Sequence, residues 1–378
     1  MAKLVLTAEN FAFGPVAKLL FVADLLSKKV HRMEFAGFGT SLQLAKHFPF
    51  DAIHEIDTDD PSSKNRLEDI IAKADMLISS MDLPSVVVAK QLKVPVVWID
   101  CLFWFWESIF EPVLDVDLYV RELSMEDSAN EIEFGPKIKN LFSVGPILGK
   151  IEKTKRIHQA LITYGGGEAS HWYKVGRDTN YPFLMTSILH DHVDWSQFDR
   201  IIVATGEHIV RELRRKFKGT HFEFECLPQY KFLHELLCSE ILITTAGLVT
   251  TESAFQYETP ILFLPSSNNS HYILLDELRN RGLASASVEL SDYMPTLNLR
   301  GKEEKQSIAE VMEQLRKLEQ SKNVQAKIGK KIDGFVRSRK EWSLESARRG
   351  KKFIDSLGEN GSIAVANKID QMLSEKGL

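Results

Sequence analysis

An α/β protein made of two doubly wound parallel-sheet domains is predicted by three observations. Short apolar runs of strand length alternate with helical patterns from the first residues onward, the pattern of a parallel sheet with helices on both faces. The chain has 378 residues, more than the roughly 250 to 300 at which single cores stop growing. In its second half, apolar runs end in small or polar residues just before a helical pattern, most clearly over 244–282. Open sheets bind ligands at that edge.

Taken in order, residues 4–7 form the first predicted strand, 16–28 an amphipathic helix and 33–38 the next strand. Further buried strands are expected at 53–56, 76–79, 94–99, 118–120 and 141–144, with helices between most of them. Gly145-Pro146 and the polar stretch 150–156 interrupt the alternation, so the domain boundary is placed there. The expected domains are 1–148 and 157–340, with C-terminal helices over 341–378. In the second domain, strands are predicted at 160–163, 201–204, 222–225, 241–243 and 261–264, and charged helices at 302–320, 342–356 and 363–375.

Composition narrows the function classes. A net charge of −5 gives no basic face for nucleic acid. Three cysteines, Cys101, Cys226 and Cys238, point to a reducing compartment without a disulfide framework or metal cluster. No run approaches the ~18 apolar residues of a membrane span, and the N-terminus lacks the shape of a signal peptide. A soluble cytoplasmic protein is expected. His190-Asp191-His192 ends a helix with no third ligand at a suitable spacing, and reads as surface rather than a metal site.

Within 244–282 the buried run 241–243 gives way to Thr244, Thr245, Ala246 and Gly247, whose small side chains leave main-chain N–H groups approachable. Thr250 is the expected N-cap of the following helix, with Glu252 in its first turn. Glu258-Thr259-Pro260 closes that helix. After the next strand, Pro265 and the polar tract Ser266–His271 lead into a helix over 272–281. An anion is expected on a helix N-terminus, with Glu252 available for two vicinal hydroxyls.

That order of residues resembles the donor-nucleotide motif of the GT-B glycosyltransferases, including the peptidoglycan N-acetylglucosaminyltransferase and natural-product enzymes. The resemblance implies two Rossmann-like, doubly wound domains facing a central cleft. It implies a sugar moved, without bound metal or separate cofactor, from a nucleoside-diphosphate sugar to a small-molecule acceptor. By the same likeness Glu252 holds the donor ribose, Ala246, Gly247 and Thr250 lie at the phosphates, and Asn268, Asn269, Ser270 and His271 meet the sugar. The last helix would cross back onto the first domain. The chain departs from the family where Gly-x-Pro is replaced by Glu258-Thr259-Pro260, and where Asp-Gln is replaced by Asn268-Asn269-Ser270-His271. The second departure leaves the sugar open. Asp-x-Leu-x-Trp-x-Trp at 100–106, Phe-Gly-Pro-Val-Ala-Lys-Leu at 13–19 and Leu-Pro-x-x-Asn-x-Ser at 264–270 are similar to the cytosylglucuronate synthase branch.

Other loops complete the expected site. Gly165, Gly166 and Gly167 follow the first strand of the second domain, where they either let a diphosphate approach or form a plain tight turn. Cys226-Leu227-Pro228 follows the 222–225 strand; in the resembled family such a loop holds the base through main-chain groups, as Leu227 would here, with uridine preferred. In the first domain the loop 9–15 lacks the histidine many family members carry. A base for the acceptor proton is therefore sought among Glu9, Asp100 and Glu107. Asp100 ends an apolar strand that would raise its pKa, and a buried structural cap is the competing role. Four aromatics crowd 103–106, suited to stacking on an acceptor or to core packing. Phe13, Gly14, Trp104 and Glu107 are the expected acceptor contacts. Two rivals stay open: a sugar-nucleotide epimerase or hydrolase using His271 and Glu168, and a catalytically silent nucleotide-sugar binder.

Overall fold

The computed structural model describes residues 1–29, 31–125, 128–152, 154–167, 180–294, 302 and 304–377. The chain divides into two compact units. The first comprises Met1–Lys150 and Ile354–Leu378; the second comprises Ile151–Gly167 and, among the described residues, 180–353.

In the first unit seven strands run parallel: β1 Lys3–Ala8, β2 Arg32–Gly37, β3 Ala52–Glu55, β4 Met76–Ser80, β5 Val96–Asp100, β6 Leu118–Glu122 and β7 Leu141–Val144. Their order is β3-β2-β1-β4-β5-β6-β7, so the chain reverses direction across the sheet between β1 and β4. Every residue of β4, β5 and β6 is buried, as expected for strands covered on both faces. The helix after β1 spans Gly14–Leu26 and begins two residues before the predicted start, with Pro15 in its first turn where a missing N–H costs nothing. Gly14 is therefore helical rather than part of the loop. Lys18 of this helix forms a 2.5 Å ion pair with Glu122 at the end of β6, both side chains fully buried.

The C-terminal helix Gly361–Glu375 packs on Gly14–Leu26. Its start is close enough that a Cβ on Gly361 would lie 2.1 Å from the Gly145 carbonyl oxygen, and Gly361 N–H donates to the Pro146 carbonyl at 2.9 Å. Only glycine fits where the two segments approach so closely. Lys29 and His31 then flank Asp370 at 3.1 and 3.4 Å.

The second unit holds β8 Ile157–Thr163, β9 Arg200–Ala204, β10 Phe222–Glu225, β11 Ser239–Thr244 and β12 Ile261–Phe263, all parallel in the order β10-β9-β8-β11-β12. Its switch point lies between β8 and β11. Crossovers run through the helices Tyr181–His192, Glu207–Lys216, Gln229–Cys238 and Leu248–Gln256, and Asn269–Asn280 follows β12. Glu304–Gln320, Lys322–Arg337 and Arg339–Ser356 close the unit. No helix was predicted over 322–337, where Gly329 and Gly334 weaken the pattern. Gly329 is there for packing: a Cβ would lie 2.3 Å from the His192 Cβ, so the two helices touch backbone to side chain. Among the described residues no helix is long and apolar enough to cross a membrane.

Candidate functional site

The carboxyl edge of the second sheet gathers most of the residues expected to bind a donor. β8 and β11 are hydrogen-bonded neighbours, with Thr163 opposite Thr244. The loops leaving them, Gly165–Gly167 and Thr245–Gly247, therefore stand side by side at the switch point. Gly165 and Gly167 both adopt the left-handed conformation, at φ +62° and +68°. They differ in surroundings: among the described residues nothing lies within 4 Å of a Cβ added to Gly165, whereas one on Gly167 would lie 2.4 Å from Ile209 Cδ1 and 3.3 Å from Thr205 Oγ1. Gly166, expected beside them at the phosphates, is buried, while Gly165 and Gly167 are partly exposed. The loop is thus held tightly on one side and open on the other, as backbone approach to a ligand requires.

The helix after β11 starts at Leu248, with Gly247 in extended conformation as its N-cap and no capping side chain. Thr250 lies inside the first turn and is not the N-cap, and Glu252 falls in the second turn, buried at 2% exposure. The early start has a local cause: the extended backbone of Gly247, φ −80° and ψ 131°, turns directly into the helix, and its carbonyl accepts from Thr251 N–H at 2.9 Å. The main-chain N–H groups of the first turn remain available.

A similar correction applies after β12. The helix begins at Asn269 rather than 272, because the Asn268 side chain accepts from His271 N–H at 2.9 Å and fixes the first turn. Asn269, Ser270 and His271 are thus first-turn residues. His271 Nδ1 is 3.0 Å from Ser267 Oγ, while its Nε2 lies 3.6 Å from where a Cβ on Gly247 would stand. The two helix starts therefore meet through this imidazole. Burial lowers the His271 pKa to about 4, so the ring is neutral at pH 7. Beneath the loop, Glu289 accepts from Ser266 N–H and Oγ and from Leu290 N–H.

Cys226-Leu227-Pro228 follows β10 and leads into Gln229–Cys238. Leu227 is partly buried, and burial pushes the Cys226 thiol up to about 11, leaving it protonated. Sequence reasoning missed Thr205, at the end of β9. It is 2% exposed, its Oγ1 has no hydrogen-bond partner among the described residues, and it abuts the glycine loop. The pair Thr205-Gly206 after an apolar run was the available signal, the same one read at Thr245–Gly247. The buried Thr251 Oγ1 and Asn269 Oδ1 likewise have no partner among the described residues. Glu168 lies outside the described residues.

In the first unit, Glu9 follows β1 at the switch point, partly buried, with its N–H on the Ser80 carbonyl at the end of β4. Phe13, the residue before the first helix, is also partly buried. Asp82, unremarked in the sequence, closes the turn after β4: it is 2% exposed, takes Ser85 Oγ at 2.5 Å, and burial pushes it up to about 6. The preceding Met81 has φ +62°.

Asp100 occupies the last position of β5 and is fully buried. Burial raises its pKa to about 6, against the opposing pull of Tyr119, Leu102 and Trp106. Tyr119 OH donates to Oδ2 at 2.5 Å, Leu102 N–H to Oδ1 at 2.8 Å, and Trp106 Nε1–H to both oxygens at 3.1 and 2.9 Å. Both oxygens are thereby engaged by protein donors, the geometry of an anchor; a base must present a lone pair to the acceptor. Of the aromatic run, Phe103 is fully buried, Trp104, Phe105 and Trp106 are partly buried, and Glu107 is exposed. His190 and Asp191 pair with each other at 2.8 Å on the surface. Among the described residues no three His, Cys, Asp or Glu side chains are grouped so as to hold a metal ion.

No family model matches the chain. No curated protein matches it either. Solved structures do. An anthocyanidin 3-O-glucosyltransferase that uses UDP-glucose, solved in complex with UDP, aligns over 99% of both chains at 14% identity and a TM-score of 0.51. The spinosyn forosaminyltransferase SpnP aligns over 99% of both chains at 14% identity and a TM-score of 0.50. The chain accordingly has the GT-B fold of these glycosyltransferases, built from two Rossmann-like α/β domains.

Proposed function

We propose that this protein is a glycosyltransferase that moves a sugar from a nucleoside-diphosphate sugar, of the uridine series, to a small-molecule acceptor. One observation carries the proposal. At the switch point of the second sheet, an open, left-handed glycine loop stands beside the start of a helix whose second turn bears the buried Glu252. The loop admits a diphosphate to main-chain N–H groups, and the helix start adds its partial positive charge. Glu252 is within a turn and a half of that start, and takes the ribose hydroxyls.

In the reaction the acceptor loses a proton as its oxygen or nitrogen bonds to the anomeric carbon, and the bond from that carbon to the diphosphate breaks. The charge gathering on the departing diphosphate is met by fixed N–H groups rather than by a metal ion, which needs no reorganisation. For the base we favour Glu9 over Asp100. Glu9 stands at the switch point of the first sheet, whereas Asp100 is sealed and engaged by three donor residues. His271, kept neutral by burial, is suited to hydrogen bonding to sugar hydroxyls and not to pairing with an anion.

The test is a thermal-shift titration with UDP, UDP-glucose and UDP-N-acetylglucosamine, followed by turnover assays in EDTA with an acceptor panel. Ligand that binds the native state raises the melting temperature by mass action. Glu252→Gln should weaken the shift by about tenfold in ligand concentration, the worth of roughly one charged hydrogen bond. A wild-type protein that UDP and its sugars leave unshifted rejects the proposal. Binding without turnover on any acceptor leaves a silent binder.

A further inference from the structure

The aromatic turn after β5 is fixed far more firmly than core packing requires. Phe103 alone enters the core, edge-on to Tyr119 and Phe134 at centroid distances of 6.4 Å and with the Arg121 guanidinium 4.9 Å from its ring centre. The turn is then held from two sides. Asn130 donates to the Phe103 and Trp106 carbonyls at 2.7 and 3.0 Å. Asp100 takes the Leu102 N–H and the Trp106 indole N–H from within. Outside this clamp the rings form a ladder: Trp104 to Phe105 at 5.6 Å, Phe105 to Trp106 at 6.1 Å, and Trp106 to Phe110 at 5.5 Å. Phe110 is 42% exposed.

Placing a carboxylate in a fully buried position is costly unless its hydrogen bonds are complete. Here that carboxylate is used to orient an indole lying at the carboxyl edge of a parallel sheet, where ligands bind. A rigid row of partly exposed rings offers a planar ligand edge and face contacts at little entropic cost. We propose that Asp100 is a positioning residue, and that the ladder it fixes, Trp104, Phe105, Trp106 and Phe110, seats an acceptor with a planar ring. This rests on the glycosyl-transfer reading and narrows its acceptor class.

The probe is 4-methylumbelliferone, a planar phenol, with cyclohexanol as the non-planar control. Binding is measured by equilibrium dialysis and transfer from UDP-glucose by product formation. The wild-type protein should bind the phenol and ignore cyclohexanol. Trp106→Ala should weaken phenol binding by about tenfold, the worth of one good ring contact. Asp100→Asn, which removes the charge and one of the two oxygens that hold the Trp106 indole, and Trp106→Phe, which removes the indole N–H itself, should both raise the acceptor KM and leave kcat within about twofold. Tyr119→Phe, which spares the tie to Trp106, should leave that KM unchanged and guards against mere misfolding at Asp100. The inference is overturned if Asp100→Asn abolishes kcat while Trp106→Phe does not, since Asp100 would then be the base. It is also overturned if Trp106→Ala binds the phenol as the wild type does, or if the wild type binds neither probe. Phenol binding without any UDP-sugar shift would uphold the ladder and reject the donor reading instead.

Discussion

Replacing Asp100 by Asn should change the pH dependence of stability in a direction opposite to that of most carboxylates. Burial lifts Asp100 from an ordinary 3.8 to about 6 in the folded protein. Between those values the folded state holds a proton that the unfolded chain has released, so stability falls as pH rises from about 4 to about 6. Two pKa units at ~1.4 kcal/mol each give roughly 3 kcal/mol in full, of which about 2 is recovered on going from pH 7 down to pH 4. The wild-type curve alone does not isolate this. Asp82, also raised to about 6, acts in the same sense, while His271, lowered to about 4, loses stability over the same interval as acid charges the unfolded ring. Exposed acids lowered by their partners, such as Asp115 beside Lys90 and Asp370 beside Lys29, also lose stability toward low pH. The difference between wild type and Asp100→Asn removes everything except Asp100. Urea unfolding followed by tryptophan fluorescence at half-unit steps from pH 4 to 7 should show the wild type losing about 1 M in midpoint relative to the variant as pH rises. A difference that stays constant across that range would mean that burial does not lift the Asp100 carboxyl above its three donors' pull, and would overturn the assignment of a raised pKa.

The glycine loop gives a paired test. Gly165→Ala meets only the left-handed backbone and should cost about 1–2 kcal/mol, whereas Gly167→Ala adds the contact with Ile209 Cδ1 and should cost about 1–3 kcal/mol more, both read from urea midpoints. If the open side of the loop faces a diphosphate, Gly165→Val should weaken UDP binding beyond what its stability loss explains. Gly350→Ala, whose Cβ would lie 2.2 Å from Phe255 Cδ1, should shift the helix carrying Glu252 and lower UDP affinity from a distance; unchanged affinity by calorimetry would show that the helix yields elsewhere. Thr205→Val, removing a buried hydroxyl that has no partner among the described residues, should leave the free protein as stable as before or more so, and any loss of UDP binding would mark that hydroxyl as a ligand contact.

Much of this fold was legible in the chain because parallel strands covered on both faces are largely apolar, and β4, β5 and β11 carry the apolar runs 76–78, 96–99 and 241–243. Helix starts were less legible. Thr250 has the chemistry of an N-cap, yet an extended Gly247 turned the backbone into the helix earlier, and Asn268 did the same for the helix predicted from 272. Both shifts have consequences for the site, since they move His271 into a first turn and Glu252 into a second. Three consecutive glycines carry no side-chain signal to tell them apart, so the burial of Gly166 between two partly exposed neighbours was not readable either. The helix Lys322–Arg337 was hidden because Gly329 looks like a breaker locally and is explained only by His192, 137 positions away in sequence. Asp100 shows the same limit in chemical form. An acid after an apolar strand signals a perturbed carboxyl, and that was correct. Whether such a carboxyl gives up a proton or holds a neighbour depends on the donors around it. One of them, Tyr119, arrives from the adjacent strand, and another, Trp106, curls back from six residues later. Perturbation is thus readable from local sequence, while role is decided by long-range partners. For that reason the paired variants Asp100→Asn and Trp106→Phe are more informative than either alone: a base and a clamp share the same pKa shift and differ only in whether the partner's loss reproduces the effect.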